Sequence, residues 1–159
     1  MVTLTPAQVW RELERQIFAV LGMVTPQNEA RTAGVVYVVH QRKLYISSLK
    51  SAWKVRHIAR NPHVSMTVPI AKRIPFLPWI PIPAATITFA GEAKIWEPME
   101  LPDAVVRPLF RGMTITPETS PPFAVIEVTP KGDFVTYGVG VPLLTMRDPE
   151  KARGRVAVG

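Results

Sequence analysis

The spacing of apolar residues changes character several times along the chain, and each change marks an element. Near the N-terminus Val9, Leu13 and Gln16-Ile17 recur at helical spacing, which predicts an amphipathic helix packed on the rest of the domain. Its start is encoded locally. Thr5 is a cap, Pro6 suits the first helical position, and Gln8 completes a capping box. At Ile17 the helical period is lost. Residues 17–24, IFAVLGMV, form a continuous apolar run that reads as the first strand. Thr25-Pro26-Gln27-Asn28 is turn chemistry. Strands then read at Gly34–Val39 and Leu44–Ser47, joined as a hairpin by the polar Gln41-Arg42-Lys43. Ser51–Arg60 reads as a helix capped by Ser51 and burying Ala52, Val55, Ile58 and Ala59. Asn61-Pro62 ends it, because a residue before proline avoids the helical region. Val64–Val68 alternates as a strand.

The next stretch breaks the pattern. Pro69–Pro83, PIAKRIPFLPWIPIP, carries prolines that forbid a central strand and a helix interior. Between them sit Phe76, Leu77, Trp79, Ile80 and Ile82, so the loop must be covered by something or bind something. The leading expectation is a dimer contact; a lid, an aromatic surface for an apolar substrate, and a membrane contact through Pro75–Pro83 are the alternatives. Strand character returns at Thr86–Trp96, with Gly91 expected to form a bulge. A short helix is expected over Pro102–Arg111, then strands at Phe123–Val128 and Phe134–Tyr137. The tail from Arg147 is charged, contains glycine, and is expected to be loose at its end.

About six strands, few helices and short links favour a mainly β fold, a small closed or split antiparallel barrel in one domain. The long helical crossovers that parallel sheets need are missing. No apolar run is long enough for a membrane helix and no signal-peptide pattern opens the chain, which makes cytoplasmic the expected location. Cysteine is absent, so disulfides, thiolate nucleophiles and cysteine metal sites are excluded. The net charge of +7 favours an anionic partner. Nucleic acid is not expected, because the aromatics lie in apolar context and not among Lys and Arg. His40, His57 and His63 show no metal-ligand spacing, and the glycines of YGVGVP lack the strand-turn-helix context of a dinucleotide site.

The chemistry concentrates in residues 44–68, LYISSLKSAWKVRHIARNPHVSMTV. A strand runs into serines, and lysines stand at the start of a helix, with Lys50 and Lys54 around the first turn. The helix dipole disfavours cations there by a few tenths of a kcal/mol, roughly. A bound phosphate reverses that sign, since lysines and free amides then act on one dianion. Two solvated lysines are the competing reading.

Taken in order, the strand IFAVLGMVTP, the strand ARTAGVVYVV, the turn into LYISS, the helix SAWKVRHIARNP, HVSMTV and TITFAGEAKIW resemble the pyridoxamine-phosphate-oxidase-like flavin-binding split-barrel superfamily. The resemblance implies a six-stranded antiparallel split β-barrel of Greek-key type with a few short flanking helices. It also implies a homodimer holding FMN between subunits. By the same resemblance the flavin phosphate would meet Ser48 and Lys54, with Trp53 and Ser47 beside them. Thr32, Ala33, Gly34 and Val35 would line the ring with backbone groups, and Thr86 would contact it. The chain departs from true pyridoxamine-phosphate oxidases, which carry arginine where Thr32 stands, lysine where Tyr37 stands and arginine where Trp53 stands. The expected function is thus an FMN oxidoreductase with a different small-molecule substrate. Relatives that use a deazaflavin or bind haem, and a non-enzymatic flavin binder, are the alternatives. No metal and no catalytic side chain is singled out.

Overall fold

A computed structural model describes residues 1–159. Helix α1 is Pro6–Arg15, and its capping box forms as the sequence predicts, with the Gln8 amide on the Thr5 hydroxyl. Strands β1 (Phe18–Val24), β2 (Ala30–His40) and β3 (Lys43–Leu49) follow. Helix α2 (Trp53–Arg60) leads into β4 (His63–Ile70) and β5 (Ala85–Trp96). Helix α3 (Asp103–Leu109) precedes the long strand β6 (Phe123–Tyr137). A short α4 (Pro149–Ala152) and β7 (Arg153–Ala157) end the chain.

The strands pair in the order β3-β2-β1-β4-β5-β6-β7, all antiparallel, and β3 pairs again with β6. That second pairing closes six strands into a barrel, and β7 lies outside it. Alternate residues of each strand point inward, as the two-residue period of a strand requires. Leu21, Ile46, Met66, Ile87, Ile126 and Phe134 are buried there. Trp10 and Phe89 pack edge-on against Phe134, with ring centroids 5.3 and 5.4 Å away. Burying a side chain of that size contributes about 1.5–3 kcal/mol. Tyr37 also points inward, and its hydroxyl donates to the Leu13 carbonyl at 2.7 Å, tying α1 to the barrel.

Several expectations are corrected. Residues 123–137 form one strand where two are expected. The Lys131-Gly132-Asp133 stretch that reads as a break is a bulge on β6, with Gly132 at φ +71°. The register passes from Thr88↔Val135 to Ala90↔Lys131, so the extra residues lie on β6 and not at Gly91. Gly91 has another cause: a Cβ there would lie 2.9 Å from the Thr129 carbonyl oxygen. Ala59 is exposed and not buried. The tail is ordered, because Arg153–Ala157 pairs with Tyr137–Asp133, and the Val158 carbonyl accepts from Trp10 Nε1.

A second apolar cluster sits outside the barrel. Helix α3 covers the outer side of β2 and β3 and reaches β6, so that Val105 and Phe110 pack on Tyr45 and Val125, with Val38 beside them. Within this covered face Glu127 is buried, accepting from Lys43 Nζ at 2.9 Å and from the Tyr45 hydroxyl at 3.1 Å.

Candidate functional site

The barrel opens at one place, and strand pairing decides where. The β2–β3 ladder runs only from His40↔Lys43 to Tyr37↔Ile46. Beyond it β2 stays on β1, from Val36↔Phe18 to Ala30↔Val24, while β3 stays on β6 as far as Leu49↔Phe123. The two strands part between Val36 and Ser47. On the side facing β3, the edge of β2 over residues 32–36 has no ladder partner. A strand edge of that kind presents backbone donors and acceptors. Thr32, Ala33, Gly34 and Val35 all lie on it. Val35 points into the core, Ala33 is half-buried against it, and Thr32 and Gly34 face outward. Ser47 and Ser48 flank the same opening from β3. Ser48 is buried, and its hydroxyl donates to the Leu49 carbonyl at 3.3 Å.

Helix α2 starts directly after this opening. The Ala52 amide donates to the Leu49 carbonyl, closing a tight turn over residues 49–52. The helix therefore begins at Trp53, its N-cap is Ala52, and no side chain caps it. Ser51, expected as the cap, is an exposed turn residue one position too early. The two lysines differ. Lys50 is paired with Glu97 at 2.7 Å, so its charge is already matched. Lys54, half-buried in the first turn, has no carboxylate partner and no side-chain hydrogen bond. No acidic residue stands in that turn. Trp53 is 40% exposed, and its ring lies edge-on to His57 at 5.7 Å.

Thr86 is separate from these groups within one chain. It pairs with Pro69 of β4 and Tyr137 of β6. In the sheet, β5 lies three strands from β2, roughly 14 Å at ordinary strand spacing. Yet Thr86 shares an outward-facing cross-strand row with Val36, Phe18, Pro69 and Tyr137. The next row is Gly34, Val20, Thr67, Thr88 and Val135. Neither row carries a charge before β7, where Arg153 and Arg155 continue them. The opening thus has Ser47 and Ser48 on its β3 side and residues 32–35 on its β2 side, and Trp53 and Lys54 begin the helix that follows β3. Thr86 lies at the far side of the outer face formed by these rows.

Sequence reasoning missed that outer face. Val36 is 61% exposed, and Ile17, Phe18 and Val135 are also exposed. A signal was present: residues 17–24 and 34–39 are apolar without alternation, which means both faces of a strand lack polar cover. Beside the opening, Ile17, Val36, Val38, Leu109, Phe110 and Met113 line a cleft of about 340 Å³ with Arg111 as its one charged residue. Two tyrosines near the site are held in the neutral form. Burial pushes the Tyr37 hydroxyl well above its ordinary value. Burial, then the hydrogen bond to Glu127 and its charge, pushes Tyr45 up to about 12. No group of three His, Asp or Glu side chains is placed to hold a metal ion. No helix is long and apolar enough to cross a membrane.

Solved structures share the fold at low identity. A haem-binding protein from Mycobacterium smegmatis superposes with a TM-score of 0.67 at 16% identity, covering 99% of this chain and 60% of that one. An FAD-binding protein from Mesorhizobium loti gives 0.58 at 14%, covering 80% and 88%. A protein named F420 reductase gives 0.53 at 20%, covering 84% and 98%. No curated protein matches the chain. Residues 5–133 match the pyridoxamine 5'-phosphate oxidase family, and the chain belongs to that family.

Proposed function

We propose that the protein is an FMN-binding oxidoreductase that works as a homodimer on a small molecule other than pyridoxamine phosphate. The observation that carries this reading is the parting of β2 and β3 beside a helix start whose Lys54 has no partner in its own chain. The residues suit a flavin phosphate. An uncapped helix N-terminus offers amide donors, Lys54 offers a charge, and Ser47 and Ser48 offer hydroxyls close by. The unpaired edge of β2 suits the ring, whose carbonyls and nitrogens pair well with backbone groups. Bound FMN would supply two-electron transfer between a donor and the substrate. The chain's own part is to bind the phosphate, align the ring along residues 32–35 and keep one face of it dry.

Dimerisation is supported by the outer rows, uncharged before β7. Ile17, Phe18 and Val36 form an exposed apolar patch of the kind that another surface covers. A partner copy would also bring a Thr86 hydroxyl, which makes no side-chain hydrogen bond in its own chain, toward the β2 edge. The departures from true oxidases weigh against pyridoxamine phosphate as substrate. Tyr37, at a position where those enzymes carry lysine, is buried and bonded to Leu13, so it offers nothing to a ligand.

Purified protein is expected to be yellow, with a flavin spectrum and FMN close to one per subunit. A colourless protein that takes up no added FMN refutes the reading. A Soret band, or a deazaflavin spectrum, would move it to the haem or F420 side of the fold. Lys54→Ala should weaken FMN binding by roughly 1–3 kcal/mol in a flavin-fluorescence titration. Unchanged affinity would remove Lys54 from the site.

A further inference from the structure

The connection between β4 and β5 forms a stiff apolar ridge. Its residues 71–84, AKRIPFLPWIPIPA, belong to no strand or helix. Two consecutive turns shape its tip: the Leu77 amide donates to the Ile74 carbonyl, and the Ile80 amide to the Leu77 carbonyl. Pro75 and Pro78 occupy the second position of these turns, where proline's fixed φ suits the bend. The third positions are Phe76 and Trp79. Phe76 is 94% exposed and Trp79 is 73% exposed. Phe76 also has φ +69°, a left-handed conformation unfavourable for a bulky side chain. The chain thus uses two proline-led turns and a strained residue to hold two aromatic rings in water.

Behind the tip, Ile74, Ile80, Ile82, Leu143, Leu144 and Met146 line a cleft of about 420 Å³. Leu144 is itself 76% exposed. Three unpaired cations flank this ridge, while the nearby acids Asp148 and Glu150 are matched by Lys151 and Arg153. Arg147 lines the same cleft, and Lys72 and Arg73 lead directly into Ile74. None of the three cations is in an ion pair. No Asp or Glu occurs in residues 64–91 or 134–147, which include the ridge and the cleft behind it.

We infer that this end of the barrel docks on an anionic lipid surface, with Phe76 and Trp79 entering the headgroup–acyl boundary and Lys72, Arg73 and Arg147 meeting lipid phosphates. Exposed aromatic rings with unpaired cations on the same loop and beside its cleft are the chemistry of interfacial membrane binding. A second copy is the poorer occupant. A two-fold contact through this patch would set the same cations against each other, and like charges across an interface are unfavourable. The inference does not depend on the cofactor.

Co-sedimentation with vesicles tests it, using phosphatidylcholine alone and phosphatidylcholine mixed with phosphatidylglycerol. The protein should partition at least tenfold more strongly to the anionic vesicles, and added salt should weaken this. The double variant Phe76→Ser, Trp79→Ser should lose at least tenfold. Neutralising Lys72, Arg73 and Arg147 to Gln should lose about 100-fold, at roughly fivefold per cation. The same charge loss at the exposed Arg11, Arg15 and Arg60 should cost far less. Brominated acyl chains should quench tryptophan fluorescence in the wild type and much less in Trp79→Phe, a variant that leaves the fold intact. Absence of vesicle binding overturns the proposal, as does binding that the Phe76/Trp79 variant leaves unchanged. A changed molecular mass of that variant without vesicle binding would assign the ridge to self-association instead.

Discussion

The outside of this barrel has two surfaces treated in opposite ways. Over β3 and the adjoining part of β2, helix α3 lies across the sheet, and Tyr45, Val105, Phe110 and Val125 bury one another. Beside α3, on β1 and the free edge of β2, Phe18 and Val36 stay exposed, although they are no more polar than the residues α3 covers. The covered surface even contains a charge, Glu127, satisfied by Lys43 and Tyr45. The rows through Phe18 and Val20 carry no charge on β2, β1, β4, β5 or β6. Exposed apolar side chains beside a packed apolar cluster are what a surface reserved for another surface looks like. The opening between β2 and β3 lies at the border of the two.

The largest effect expected from breaking this contrast is on the covered side. Phe110→Ala should cost about 3 kcal/mol of folding stability in a denaturant melt, because it empties a packed site. A loss under about 1 kcal/mol would make the α3 surface no more a core than the bare one. On the bare side the signature should differ. Val36→Asp should convert a homodimer to monomer in sedimentation equilibrium, while the monomer's own stability changes by no more than about 0.5 kcal/mol. A dimer that survives the substitution would place the contact elsewhere. The smallest effect sharpens the covered side. Tyr45→Phe removes one hydrogen bond to a carboxylate and should cost about 1 kcal/mol at neutral pH.

That tyrosine also predicts a pH dependence. Its hydroxyl holds its proton up to about 12 when folded and about 10 when unfolded. Its contribution is present in full below about 10 and is lost as pH rises from there through about 12. Stability of the wild type should therefore fall more steeply than that of Tyr45→Phe in this window. Parallel curves would show that the Tyr45 hydroxyl is neither buried nor held by Glu127.

Local chemistry was legible. The Thr5–Gln8 capping box, the Asn61-Pro62 stop and the strands before residue 97 follow from residue type and spacing, and they form. Misreadings arose where local chemistry has a tertiary use. Lys131-Gly132-Asp133 carries turn residues, but pairing with β5 carries the strand through them as a bulge. Arg153-Gly154-Arg155-Val156 looked like a loose tail, but Gly154 allows the close approach that makes it a strand. A Cβ there would lie 2.7 Å from Thr136 Oγ1. Ser51 has capping chemistry, but the turn closed by Ala52 moves the helix start past it. The candidate site was legible as a set of groups and not as a place. Lys50 and Lys54 looked alike until Glu97, remote in sequence, took one of them.

The amino-acid sequence alone determined the strand and helix segments, the mainly β class, the absence of thiol chemistry and the family pattern in residues 17–68, because each rests on residue type or short spacing. Only the tertiary structure decided which side of the apolar strands stays bare, where β2 leaves β3, which lysine stays unpaired and that the tail becomes a strand. Those depend on pairings between residues tens of positions apart, whose register no local spacing records.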